Sequence, residues 1–149
     1  MKLWAFIKEK MMRYPNQQIC ENEAKLSFEE TVIWVENFSK KLKDIHCCAI
    51  LCSSEMATAM ALLACFAAET TALPLSLRYG EAHYHKIMNT ISPDAIIMDC
   101  DGEIIVYKIK ESQYIPPKEH PALIMCTSGT TGRPKGAMLS ERNIMTNVS

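Results

Sequence analysis

The sequence predicts an α/β fold: a mostly parallel sheet with flanking helices. Three observations carry this. Residues 48–52, 71–73 and 95–98 are short apolar runs without alternation, the pattern of strands buried on both faces. Two helical stretches, Glu55–Ala68 and Glu81–Ile91, separate them. Strand, helix, strand in that order is a βαβ unit, which implies parallel pairing through a crossover.

Each element has its own signal. Leu3, Ile7, Met11 and Tyr14 recur at helical spacing, with Lys8, Lys10 and Arg13 between them, and Pro15 ends the helix. Residues 18–21 form a short strand, Asn22 and Glu23 turn it, and residues 25–28 return. Ser27 and Glu30 have the spacing of a capping box. The helix they open carries Phe28, Val32, Val35, Phe38 and Leu42 on one stripe, with Trp34 off it as a second packing contact. Ser53 or Ser54 caps Glu55–Ala68. Pro74 ends the strand at 71–73, and Pro93 and Asp94 lead into the strand at 95–98. Residues 99–102 read as a turn, and 103–109 return as an antiparallel or edge strand. Residues 110–120 are a connector. Ser140 caps a last helix that runs to Ser149.

The chemistry gathers at 123–140. The apolar run Leu123, Ile124, Met125, Cys126 feeds a loop of small, hydroxylated and glycine residues. Four hydroxyls (Thr127, Ser128, Thr130, Thr131), two glycines (Gly129, Gly132) and Lys135 fall within nine residues. Glycines let backbone approach a ligand closely, successive N–H groups form an anion-binding concavity, and lysine adds a point charge suited to phosphate. Pro134 stiffens the exit. The Walker pattern G-x-x-x-x-G-K-[ST] does not fit, because Arg133 and Pro134 follow Gly132 and Gly136 follows Lys135. That spacing disfavours a nucleotide kinase or GTPase.

The order T-S-G-T-T-G-R-P-K-G-A-M-L-S closely resembles the phosphate-loop signature of the adenylate-forming, AMP-binding enzymes: acyl-CoA synthetases, adenylation domains of non-ribosomal peptide synthetases, and luciferases. Thr127 to Gly136 match at every characteristic position. The preceding elements follow the order in which such enzymes begin, more weakly. The glycine usual near Ala68 and Glu69 and the acidic residue usual near Ser76 are absent, and the segment from 42 to 50 is short. Glu141 stands where the family commonly has a histidine, which the resemblance places beside the acyl pocket.

The resemblance implies a fold that is the incomplete N-terminal part of the adenylate-forming large domain, with 1–149 ending just after the phosphate loop. It implies ATP with Mg2+, a small carboxylic acid substrate, and coenzyme A or a pantetheine thiol as acceptor. It assigns Thr127, Ser128, Gly129, Thr130, Thr131, Gly132 and Lys135 to the β- and γ-phosphates. Arg133, at a position many cations fit chemically, reads as a solvent-facing charge. The catalytic lysine and magnesium carboxylate of the family lie later, so no catalytic residue is named and the chain alone is expected to be inactive. The alternatives are a non-catalytic nucleotide- or pyrophosphate-binding fragment, a split subunit completed by another chain, and a phosphotransferase with an atypical loop. An unfinished sheet, with open edges and an uncovered apolar face, is expected to leave the chain marginally stable or self-associating.

Composition excludes several classes. Sixteen basic and seventeen acidic residues give a formal net charge of −1, with no footprint for nucleic acid. The longest largely apolar stretch, 56–68, is too short to span a bilayer, and 3–7 is no signal peptide. Seven irregularly spaced cysteines, mostly in apolar runs, argue for a reducing cytoplasm. His46, Cys47, Cys48 and Cys52 lack a zinc spacing and a completing pair, so they read as core. Met11, Met12, Met56, Met60 and Met98 read as core filler. His83, His85 and His120 read as surface histidines.

Overall fold

The computed structural model describes residues 2–127 and 135–148. Helix α1 (Leu3–Met12) comes first, then a hairpin of β1 (Gln18–Glu21) and β2 (Ala24–Ser27), then α2 (Phe28–Ser39). The main sheet holds β3 (Cys47–Leu51), β4 (Thr71–Pro74), β5 (Ala95–Cys100), β6 (Glu103–Lys108), β7 (Leu123–Thr127) and β8 (Lys135–Leu139). Helices α3 (Glu55–Ala68), α4 (Glu81–Ile91) and α5 (Glu141–Val148) connect and close it.

The strand order is β6-β5-β3-β4-β7-β8. Strands β5, β3, β4 and β7 are parallel, and β6 and β8 run antiparallel at the two edges. The two faces of β3 divide the core by strict alternation. Cys48 and Ile50 pack with Phe38 of α2 and with Ala61, Ala64 and Cys65 of α3. Cys47 and Ala49 pack with Leu73, Ile96, Ile124 and Ile87 of α4. Helix α1 forms an outer layer, Trp4 resting on Val32 and Val35 of α2.

Local chemistry explains the boundaries. The Ser27–Glu30 capping box closes in both directions, each bond at 3.0 Å. Ser54, not Ser53, caps α3, its hydroxyl accepting from the Ala57 N–H at 3.0 Å. Trp34 stacks on Phe38 with ring centroids 4.8 Å apart, a packing contact as its place off the stripe suggests. Cys47, Cys48 and Cys65 are fully buried. Burial raises the Cys47 thiol far above the ordinary range and pushes Cys52 up to about 11, so both stay protonated and unreactive.

The structure departs from the sequence reading at five places. Tyr14 lies beyond α1 and is 64% exposed. Leu42 is buried from a short 3-10 turn, Lys40–Leu42, after α2 has ended. Strand β5 runs on through Asp99 and Cys100, because the turn needs only Asp101 and Gly102, both at positive φ (50° and 82°), the conformation that two-residue hairpins favour. Met12 and Met98 are exposed rather than core. Residues 135–139 form β8, where the sequence shows only the exit of the loop.

Candidate functional site

The parallel strands all end on one side of the sheet, the side where open α/β sheets bind ligands. The ends of β3, β4 and β5 line a crevice of about 370 Å³ with Cys52, Ser53, Leu75, Ser76, Met98 and Asp99. Strand β7 lies beside β4 and ends at Thr127 on this same side. Strand β8 then starts at Lys135, which is the register partner of Thr127. Thr127 and Lys135 therefore close a hairpin at the ligand end of the sheet. Ser128, Gly129, Thr130, Thr131 and Gly132 lie outside the described residues, as do the side chains of Thr127 and Lys135.

A helix N-terminus of the kind that binds anions stands nearby, and the chain fills it itself. The N-terminus of α3 points to the strand ends, as a phosphate site would require. Its free N–H groups are all taken by side chains. Asp99 accepts from the Ser53 N–H at 2.7 Å, the Ser53 hydroxyl at 2.8 Å and the Ser54 N–H at 3.2 Å. Glu21 accepts from the Glu55 N–H at 3.0 Å, the Met56 N–H at 3.1 Å and the Ser54 hydroxyl. The Ser54 hydroxyl holds Glu21 below the usual carboxylate range, helped by the Met56 N–H. Burial pulls Asp99 upward, but the Ser53 and Ser54 hydrogen bonds outweigh it and hold its carboxyl low as well. With five successive N–H groups occupied, α3 has no donor left for a phosphate. Nothing in the sequence near Glu21 or Asp99 signalled this clamp.

Glu141 corrects an expectation. It lies past Leu139, and Leu139 pairs with Leu123, so β8 carries the chain away from the loop by roughly 13 Å at strand rise. There the Glu141 carboxylate accepts from the Leu3 N–H at 3.0 Å. It joins the first turn of α5 to the first turn of α1, where a negative charge favours both helix dipoles. Its position opposite the ligand end does not fit a place beside an acyl pocket. Glu141→His is expected to lower stability by about 1 kcal/mol in urea titration, with little change in nucleotide affinity.

His83, half-buried, leans on Tyr79 at 5.3 Å, and His85 and His120 are exposed. No group of three metal-ligating side chains forms among the described residues. No helix among them is long and apolar enough to cross a membrane. A cavity of about 640 Å³ lined by Trp34, Phe38, Met60 and Ile104 opens on the β6 side, roughly 19 Å of sheet away from β7.

The model of the AMP-binding enzyme family matches residues 7–149. The chain belongs to that family. Its curated relatives match over short stretches: sulfoacetate–CoA ligase of Cupriavidus necator is 56% identical over 32 residues, 22% of this chain and 6% of that protein. Long-chain-fatty-acid–CoA ligase 5 of Mus musculus is 50% identical over 36 residues, 24% of this chain and 5% of that protein. Among solved structures, a fatty acyl-adenylate ligase from L. pneumophila, in complex with acyl adenylate and pyrophosphate, superposes with a TM-score of 0.75. Its identity is 18%, and the match covers 99% of this chain and 31% of that one. A malonyl-CoA ligase superposes with a TM-score of 0.70 at 22% identity, over 90% of this chain and 32% of that one. These structural likenesses bear out the α/β fold. The AMP-binding chain spans about a third of the length of these solved enzymes, and its curated relatives match it over far smaller shares of theirs.

Proposed function

We propose that this chain forms the pyrophosphate-gripping part of an AMP-forming ligase, one that activates a carboxylic acid as an acyl-adenylate and passes it to a thiol. The observation that carries the proposal is the closing pair of Thr127 and Lys135 at the ligand end of the sheet, beside an α3 N-terminus that its own carboxylates have filled. In the first half-reaction a carboxylate oxygen attacks the α-phosphorus of ATP. The bond from that phosphorus to the bridging oxygen breaks, and pyrophosphate leaves. In the second half a thiol sulfur attacks the acyl carbon and AMP leaves; the acceptor is coenzyme A or a pantetheine arm. Pre-placed donors favour the first step because they need no reorganisation as charge builds on the leaving group.

The roles are those the family resemblance assigns, and the donor chemistry supports them. The hydroxyls of Thr127, Ser128, Thr130 and Thr131 and the backbone at Gly129 and Gly132 hold the β- and γ-phosphates, and Lys135 balances their charge. ATP enters as its magnesium complex. Hard cations take oxygen ligands and lean on substrate phosphates plus one or two carboxylates. The segment 127–136 has hydroxyls and no carboxylate, so it grips the phosphates while the cation travels with them. We place the reaction in the reducing cytoplasm, consistent with free cysteines throughout.

The phosphate-suited residues of 127–135 also fit a second reading, in which this chain binds nucleotide or pyrophosphate and another chain completes the site. One assay addresses both. The complete ligase should exchange pyrophosphate into ATP only when a carboxylic acid is present. The 149-residue chain alone should bind pyrophosphate and release no AMP. Transfer of the γ-phosphate to an acceptor, with ADP as product, would sink the adenylation reading.

A further inference from the structure

We propose that the cavity between α2, α3, β6 and the β1–β2 hairpin binds a small amphipathic anion, an apolar body carrying one carboxylate. Four described elements build it, so its walls come from this chain. At about 640 Å³ it falls within the range of roughly 300–1,000 Å³ that small-molecule pockets occupy. The lining supplies the apolar part of the site. Trp34 and Phe38 come from α2, Met56 and Met60 from α3, Leu26 from β2 and Ile104 from β6. The two rings are stacked and give a flat, rigid wall. The two thioether side chains opposite are unbranched and adapt to the shape of what they touch.

Charge decides which end of a ligand goes where. Five charged residues line the cavity: Glu21, Lys25, Lys41, Asp99 and Glu103. Both oxygens of Glu21 and both of Asp99 already accept from the start of α3. Lys25 is the register partner of Cys20, on the hairpin face opposite to Glu21 and Leu26. Glu103 is the register partner of Cys100, on the sheet face opposite to Asp99 and Ile104. Lys41 remains. Its ammonium rests over the Phe38 ring, 5.3 Å from the centroid, and forms no ion pair among the described residues.

Lys41 is exposed, so it stands at the rim of the cavity, where a bound carboxylate keeps part of its hydration. Glu21 and Asp99 keep their negative charge at the α3 end and repel an anionic head from there. The head therefore goes to Lys41 and the apolar body lies along the aromatic and methionine walls. The site is on the other side of the sheet order from the β7–β8 hairpin, with β5, β3 and β4 between β6 and β7. It needs neither ATP nor the phosphate loop, so it stands apart from the adenylation reading.

The test is calorimetric titration of the 149-residue chain with octanoate, octan-1-ol and octylammonium, without nucleotide. Octanoate should bind at one saturable site, more tightly than the alcohol, and the alcohol more tightly than the cation. Lys41→Met keeps the length of the stem and removes the charge. It should weaken octanoate roughly five-fold, the effect of a surface charge pair, and leave octan-1-ol unchanged. Ala57→Leu places a larger side chain in the cavity lining and should weaken both about ten-fold, the worth of about two buried CH2 groups. Circular dichroism checks the fold, and the exposed Lys41 variant decides the matter if Ala57→Leu does not fold. No saturable octanoate binding, octylammonium binding more tightly than octanoate, or a folded Lys41→Met chain with unchanged octanoate affinity would each overturn the inference. Pyrophosphate binding by the same chain reads the phosphate hairpin separately, so either reading can fail without the other.

Discussion

Under the proposed adenylation, Lys135→Ala is expected to lower acid-dependent ATP–pyrophosphate exchange by the complete protein by about 100-fold, the usual cost of losing one pre-placed charge stabiliser. The expectation rests on place as well as on residue type. Lys135 opens β8 directly opposite Thr127, so its backbone is held by the β7–β8 ladder at the ligand end of the sheet. A cation mounted on a paired strand needs little reorganisation when pyrophosphate departs. The effect should divide between the half-reactions. Adenylation builds charge on pyrophosphate and should take the whole loss. Thioester formation from preformed acyl-adenylate has no pyrophosphate in it and should change little. Lys135→Arg keeps the charge but replaces a compact ammonium by a planar fork, so rescue should be partial. Arg133→Ala, at a cation that the sequence reading leaves without a role at the phosphates, should leave exchange nearly unchanged. Equal loss in both half-reactions would point to a folding defect rather than to a role at the phosphates.

What was legible in the sequence was whatever had a local cause. Helices α3 and α4 occupy the ranges their periodicity predicts, Glu55–Ala68 and Glu81–Ile91, because serine and glycine punctuate their starts. The buried strands were legible because parallel strands are apolar on both faces. The residue order of 127–136 carried the family, and the matched family model bears that out. Strand β8 was not legible, since Lys-Gly-Ala-Met-Leu has no β-branched residue; its conformation comes from its pairing with β7. The contacts of Glu141 with Leu3 and of Glu21 with α3 join residues 138 and about 33 positions apart. No periodicity or spacing rule reaches that far. The phosphate-binding assignment itself still rests on residue order, with the structure supplying the mount.

Asp99→Ala is expected to destabilise the fold by about 2 kcal/mol in urea titration, more than an ordinary surface change. The carboxylate accepts two backbone N–H groups and a hydroxyl at the junction of β3 and α3. Its loss leaves the Ser53 and Ser54 N–H groups without a protein partner. Water reaches this end of the sheet, and that access limits the cost to a cap-sized value rather than a core-sized one. Asp99→Asn keeps one acceptor oxygen and should recover part of the loss. The same clamp makes stability depend on pH, with a definite sign. Asp99 and Glu21 are both held below the ordinary carboxylate range in the folded chain. The unfolded chain therefore takes up protons first as pH falls, and these groups contribute fully only above their unfolded values, near 4. Their contribution should fade as pH drops through the lower folded values. Wild-type melting temperature should thus fall between about pH 5 and pH 3, and part of that fall should vanish in Glu21→Gln/Asp99→Asn. Loosening at low pH should begin at the β1–β2 hairpin, which reaches α3 through Glu21, and hydrogen exchange at Glu55 and Met56 would report it. If the double variant kept the full wild-type acid dependence, the clamp would not be its source.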